Sequence, residues 1–407
     1  MIGAGLAGLG SASPALAESP IKLSLGGFYR AAYMVVEDDN DGDLSSFGFL
    51  ERAEPGYDHN KDGFFSDAEI HFHGRTVLDN GLEVGAHIEL EGENATDQID
   101  EAWVYFAGGF GEFRIGSDDE ALANSCILPP GGTANFSAFS PNEWGANAFS
   151  FTTFGVVTNS ACTGVDNKSD AQKILYFSPV FYGFQLTVSY TPNPGSEDQV
   201  DGVGPHVGMP AKVNSFSDAD ADSDASVYLT YTYDGSNWGL TAGGGASWEM
   251  GKSSNESRDF HDQDFYQAAL TVYVDRFSIG GVFEYYNDLG FPGEATFDSR
   301  NGDFGEDLDA WVAGGGMAYT YNAWTFGAQY SYRRDTFRVS SGTFHETLSQ
   351  TQQRAVATVN YALGPGINLD GEVAYTWRDQ NPEADGRFSN NDDYQALEFG
   401  LGTAVTF

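Results

Sequence analysis

The sequence predicts an all-β fold: a transmembrane antiparallel β-barrel of about sixteen strands, with short turns at one end and long external loops at the other. Three observations carry this. Strand-length segments alternate apolar and polar residues with period two, the connections between them alternate in length, and no apolar run in the 407 residues reaches the roughly 18 needed for a spanning helix.

The first segment, 22–35, sets Leu23, Leu25, Tyr29, Ala31, Tyr33 and Val35 on one face and Lys22, Ser24 and Arg30 on the other. "EIHFHGRTVL" (69–78) repeats the pattern, with Ile70, Phe72 and Leu78 against His71, His73 and Arg75. "LEVGAHIELE" (82–91) sets Leu82, Val84, Ala86, Ile88 and Leu90 against Glu83, His87, Glu89 and Glu91. A glutamate at every second position is costly in a dry core, so the polar face must meet water or paired charge while the other meets hydrocarbon or another sheet. Further strand-like segments lie near 97–107, 112–117, 172–179, 183–191, 225–234, 237–249, 265–275, 276–287, 309–321, 323–333, 352–362, 366–377 and 394–407. With the first three they make about sixteen, the number that encloses an aqueous channel.

Very short connections such as "DNG" (79–81), "DGSN" (234–237), "YNA" (321–323) and "GPG" (364–366) alternate with long acidic ones at 36–64, 118–171, 192–224, 250–264, 288–308, 334–351 and 378–393. That asymmetry is the layout of an outer-membrane barrel. Strands of about ten to thirteen residues suffice to cross a bilayer at a tilt near 45°. Aromatic clusters near strand ends, "YFSPVFYGF" and "FEYYND", suit an interfacial girdle. Closure satisfies every backbone amide without an edge strand.

Lys+Arg 19 against Asp+Glu 59 gives a net charge of -40. Such a chain repels nucleic-acid phosphates and attracts cations, so DNA and RNA are excluded as partners while divalent ions, and through them anionic outer-membrane lipids, are retained. At the N-terminus, Ala15-Leu16-Ala17 in an apolar, small-residue stretch reads as an export cleavage site. Residues 1–17 are then a signal remnant and 18–407 a single barrel domain, a Gly/Ala-rich tail being the alternative. Export places Cys126 and Cys162 in an oxidising compartment, where a lone pair forms a disulfide; two buried thiols are the other reading.

"SLGGFYRAAY", "DAEIHFHGRTVLDNGLEVGAHIELEGE", "IDEAWVYFAGGFGEFRIGSDD", "KILYFSPVFYGFQLTVSY" and the terminal Phe407 together resemble the general diffusion porins of Gram-negative bacteria, in the form common among alphaproteobacteria. The resemblance covers about a third of the chain. It implies a sixteen-stranded homotrimer whose third long loop, here 118–171, folds into the pore and narrows it. The loop departs from the better-known members in its length, its cysteine pair and the absence of their acidic Pro-Glu-Phe-Gly-Gly turn, of which "PPGG" (129–132) and "SPNEWG" (140–145) are the nearest echoes.

By alternation Arg30, Arg75, Arg114 and Arg354 fall on wet strand faces, and Asp118, Asp119 and Glu120 begin the third loop. Arginines facing carboxylates across a narrow water path set up a transverse field that passes hydrated polar solutes and selects against apolar ones. The competing reading is a set of ordinary ion pairs on the barrel wall.

"DHNKDGFFSDAE" (58–69) has the spacing of a calcium loop, with Asp58, Asn60, Asp62, Ser66 and Glu69 as oxygen ligands, Phe64 offering its carbonyl, and Gly63 at the sharp turn. No flanking helices are expected, so it would be a structural calcium site pinning the first long loop; a chance match in an acidic loop is the alternative. His71 and His73 share a face at two-residue spacing, which suits lumen-lining histidines better than a metal pair. No catalytic triad, cofactor loop or nucleotide fingerprint stands out, so neither an enzyme nor a required cofactor is expected. The function expected is passive diffusion of small hydrophilic solutes and ions across the outer membrane, with cation preference. The alternatives are a substrate-specific channel and a calcium-stabilised adhesin or surface enzyme with a plugged barrel.

Overall fold

The computed structural model describes residues 20–38, 61–92, 99–139, 162, 171–192, 221–251, 263–287, 308–341, 344–381 and 394–407. The strands are β1 (Lys22–Asp38), β2 (Asp62–Val77), β3 (Glu83–Glu91), β4 (Ile99–Gly108), β5 (Gly111–Ser117), β6 (Gln172–Phe177), β7 (Phe184–Thr191) and β8 (Ala221–Asp234). They continue as β9 (Trp238–Gly251), β10 (Gln263–Val274), β11 (Phe277–Asn287), β12 (Leu308–Tyr321), β13 (Trp324–Ser341), β14 (Phe344–Gly364), β15 (Ile367–Asn381) and β16 (Tyr394–Thr406). Each pairs antiparallel with its sequence neighbours, and β16 closes onto β1 in a register running from Phe28↔Thr406 to Asp38↔Ala396. All sixteen segments expected from periodicity are strands.

Two connections differ from expectation. Residues 334–351 were expected as a long loop, but β13 and β14 continue through that range and pair as far as Ser341↔Phe344. Only Phe337, Val339, Phe344 and Leu348 are apolar there, too few to mark a membrane-crossing strand by alternation. Above the bilayer both faces meet water, and hairpin pairing needs only the backbone. Likewise β2 begins at Asp62, seven residues before the expected start.

The outer face is an apolar belt: Leu23, Leu25, Ile88, Val104, Ile115, Leu229, Leu270, Ile279, Val373 and Leu401 are all exposed. An apolar surface of this extent is not sustained in water, and a closed barrel lets it meet lipid with every backbone group paired. Trp238, Tyr273, Tyr321, Trp324 and Phe407 are exposed beside the short turns or the terminal junction, where an aromatic girdle belongs. At two of those turns Asp275 and Asn322 take left-handed backbone (φ 54° and 55°), a conformation that Asp and Asn tolerate better than bulky residues.

The buried apolar core lies between the barrel wall and the third loop, not between sheets. The short helix α1 (Ala121–Ser125) sends Leu122 against Tyr228, Phe265 and Tyr286. Phe139 packs with Ala269, Val282 and Val356, and Phe136 with Ala32 and Met34. The third loop is therefore folded inward, and its apolar side chains fix it to the wall.

Candidate permeation pathway

Polar anchors follow the loop nearly around the interior. The Ala121 N–H donates to Ser189 Oγ on β7 (2.9 Å), the Leu122 N–H to Ser226 Oγ on β8 (3.0 Å), and Ser247 Oγ on β9 donates to Glu120 Oε2 (2.6 Å). Farther along, Gln329 on β13 donates to the Pro129 carbonyl (2.9 Å) and accepts from the Ala138 N–H (2.8 Å). Thr358 on β14 donates to the Gly131 carbonyl (2.6 Å), and Asp370 on β15 accepts from both the backbone and side chain of Asn135. Arg30 on β1 closes the circuit by donating to the Ala134 carbonyl at 2.9 Å. Buried polar groups need such partners, and here they come from strand positions up to 235 residues away. Glycine supplies the space: a Cβ on Gly316 of β12 or Gly327 of β13 would overlap the carbonyl oxygen of Pro130 or Gly131.

The residues expected to line the pore separate into three groups. Arg30 and Arg114 stand where the loop meets the wall. Arg30 pairs with Asp67 at 2.6 Å; Arg114 bonds Glu112 (2.7 Å) and Asp118 (3.1 Å) and lies over the Trp103 ring at 4.1 Å. Arg354 is different: it is buried, bonded to Glu398 (2.5 Å) and Thr376 and 3.5 Å from Glu372. Its inward direction is as expected, but it clamps β14 to β15 and β16 and meets no open water. Arg75 is 66% exposed and 3.8 Å from Glu83, two residues from the short-turn end of β2. It lies at the mouth and not at the loop, because alternation sets the face a residue takes but not its height in the barrel. Among the acids, Asp118 binds Arg114 and Asn124, the Asp119 N–H meets Glu101 Oε1 (3.3 Å), and buried Glu120 is a loop tether and no free charge at a constriction.

Across from the anchored segment, the inner faces of β2–β4 carry Asp67, Glu69, His71, His73, His87, Glu89, Glu101 and Trp103. The β2–β3 register sets His73 opposite His87 and His71 opposite Glu89. The inward direction of His71, His73, His87 and Glu89 was readable from alternation. That they form one cluster was not, since it depends on the β2–β3 register.

The calcium loop does not form as expected. Asp58 and Asn60 lie outside the described residues, while Asp62, Phe64, Ser66 and Glu69 are in extended β2. At about 3.3 Å per residue, positions 62 and 69 stand about 23 Å apart, and an odd separation puts their side chains on opposite faces. Asp62 accepts from the Tyr33 hydroxyl (2.6 Å) and Glu69 is 2.8 Å from His71 Nε2, so these four positions do not converge on one ion. Cys126 and Cys162 are joined as a disulfide with Cα atoms 5.6 Å apart. Gln267 on β10 reaches Cys126 Sγ, and the Cys162 N–H donates to Glu284 on β11 (2.9 Å). The expected signal, residues 1–17, lies outside the described residues.

A closed sixteen-stranded barrel with an apolar belt, a polar interior and an inward loop defines a membrane-spanning channel. The chain matches the Gram-negative porin family over residues 4–381. It therefore belongs to that family, whose members are outer-membrane channels for passive diffusion. Among curated proteins none matches it. Its fold is shared with solved structures of low sequence identity. An anion-selective porin from Comamonas acidovorans is 14% identical at a TM-score of 0.54, with 95% of this chain and 100% of that one covered. The trimer form of OmpT, an outer membrane protein of Vibrio cholerae, is 13% identical at 0.53, with 96% and 100% covered. A porin structure with no organism stated is 15% identical at 0.52, with 95% and 100% covered.

Proposed function

We propose that the chain is a cation-preferring diffusion channel whose water path runs along the inner wall of β1–β5. The observation that carries this is the third loop's attachment to β7–β11, β13–β15 and β1, with only its first residues, Asp118 and Asp119, against β5 and β4, which leaves most of the acidic β2–β4 wall as the face opposite. Arg30 and Arg114 stand at either end of that wall, each neutralised by carboxylates. Asp67, Glu69, Glu83, Glu89, Glu112 and Asp118 outnumber Arg30, Arg75 and Arg114, so the path favours cations, and its walls focus their field more than distant loop charge screened within about 8 Å. Small hydrophilic solutes and ions are the expected cargo. A homotrimer fits the family, and the trimer form of OmpT supports that reading.

Single-channel current across a planar bilayer under a salt gradient tests the proposal. Conductance steps in threes and a reversal potential of cationic sign are expected, and Arg30→Ala should deepen that preference. Anion preference in the unaltered chain would overturn it.

A further inference from the structure

Passive diffusion requires water and fixed charge, but it does not require three imidazoles packed against two carboxylates. We infer that His71, His87 and Glu89 form a binding site for a transition-metal dication of the Zn2+ type on the inner wall of β2–β3.

The geometry is that of histidine ligands held by second partners. His87 Nδ1 lies 2.7 Å from His73 Nδ1, its ring stacks on Trp103 with centroids 4.7 Å apart, and its Nε2 is turned to Glu89 Oε1. His71 Nε2 lies 2.8 Å from Glu69 Oε2, and its Nδ1 faces the same Glu89 oxygen at 3.6 Å. Each histidine thus has one nitrogen occupied by a partner and the other directed at a single carboxylate. Metal-bound histidines are oriented in this way. The three ligand atoms lie within 4.8 Å of one another. Tetrahedral bonds of about 2.0–2.1 Å require ligand atoms about 3.3 Å apart. The His71 contact is already near that value, and the His87 contact to the same oxygen is a hydrogen bond that an entering ion would replace. The fourth position is left for water.

Two imidazoles with one carboxylate suit Zn2+, Cu2+ or Ni2+, whereas Ca2+ takes six to eight oxygens and Mg2+ an octahedral set rich in water. The site is therefore distinct from the acidic loops, which attract any divalent ion. The cysteines near Glu284 offer no competing site, because their sulfurs are joined in the disulfide. The effect on current rests on the pathway proposed above: a dication on this wall adds positive charge to the path and lowers cation flow. The binding itself does not rest on it.

Zn2+ is titrated calorimetrically into the refolded full chain in detergent, with millimolar Ca2+ present to fill the acidic loops. One Zn2+ per chain is expected, with at least a tenfold weaker affinity in His71→Gln and in Glu89→Gln. Both side chains are largely buried, so folding is checked by circular dichroism; if Glu89→Gln does not fold, His71→Gln decides alone. No Zn2+ bound in excess Ca2+, or binding unchanged by His71→Gln, would overturn the site. In bilayers, Zn2+ should lower the current of the unaltered channel but not of His71→Gln. Histidine-dependent binding with unchanged current would uphold the site and remove the pathway placement.

Discussion

Two charge clusters face inward from this barrel, and they differ in what covers them. On β2–β4 the histidine and glutamate side chains other than the buried His87 are partly open: His71 keeps 22% and Glu69 16% of their exposure. On β14–β16 Arg354, Glu372 and Glu398 keep 2% or less. Both arise from the same period-two alternation. What separates them is the third loop, which begins against β4 and β5 at Asp118 and Asp119 but whose later anchors lie on the β7–β15 side and on β1. The same polar face is therefore left partly open on one side, where the proposed water path runs, and becomes a sealed structural clamp on the other.

The largest effect should come from breaking the sealed cluster. Arg354→Met leaves buried carboxylates without their cation, which costs about 3–5 kcal/mol, read as a lowered unfolding midpoint in denaturant. A loss below about 1 kcal/mol would mean that the cluster is wetter than described and would blur the contrast.

Next in size is the disulfide. It spans a sequence separation of 36 and lies against β10 and β11. Replacing both cysteines by serine should cost about 2–4 kcal/mol and make the open-channel current noisier, since the loop loses its covalent anchor. Quiet traces would show that the hydrogen bonds from Ser189 to Asp370 suffice alone.

Gly327→Val acts on the loop from the wall. The new side chain meets the Gly131 carbonyl, so strain of about 1–3 kcal/mol should push the loop toward the β2–β4 wall and lower single-channel conductance. An unchanged conductance would mean that the loop yields away from the path.

Arg75→Ala should do least. The side chain is 66% exposed, so stability should stay within about 0.5 kcal/mol and conductance should barely move. A large change in selectivity would relocate the narrowest point to the short-turn mouth.

These outcomes bear on what could be read in advance. Strand number, wet face and loop asymmetry are local properties, so Leu23 through Val35 and Glu83 through Glu91 disclosed them through their spacing alone. The calcium loop failed for a local reason as well: its spacing is compatible with a turn, but "FFSDAEIHFH" has enough β-forming residues to draw Asp62 and Glu69 into one strand, where no single ion reaches both. The extension of β13 and β14 could not be told from a loop because strands outside the bilayer need no apolar face, and four apolar residues in 334–351 are too sparse to trace one.

By itself the sequence determined the barrel, its strand number and the inward direction of the residues that alternation placed, Arg30, Arg75, Arg114 and Arg354 among them, while the pairing of Cys126 with Cys162 stayed one of two readings until the fold brought them together. Only the tertiary structure decided which of those charges meet water. Alternation fixes direction around a strand, whereas burial depends on a loop tethered to partners as distant as Asp370. It depends as well on the register that sets His71 against Glu89. Both follow from how the closed barrel brings remote residues within hydrogen-bonding reach, which no local pattern records.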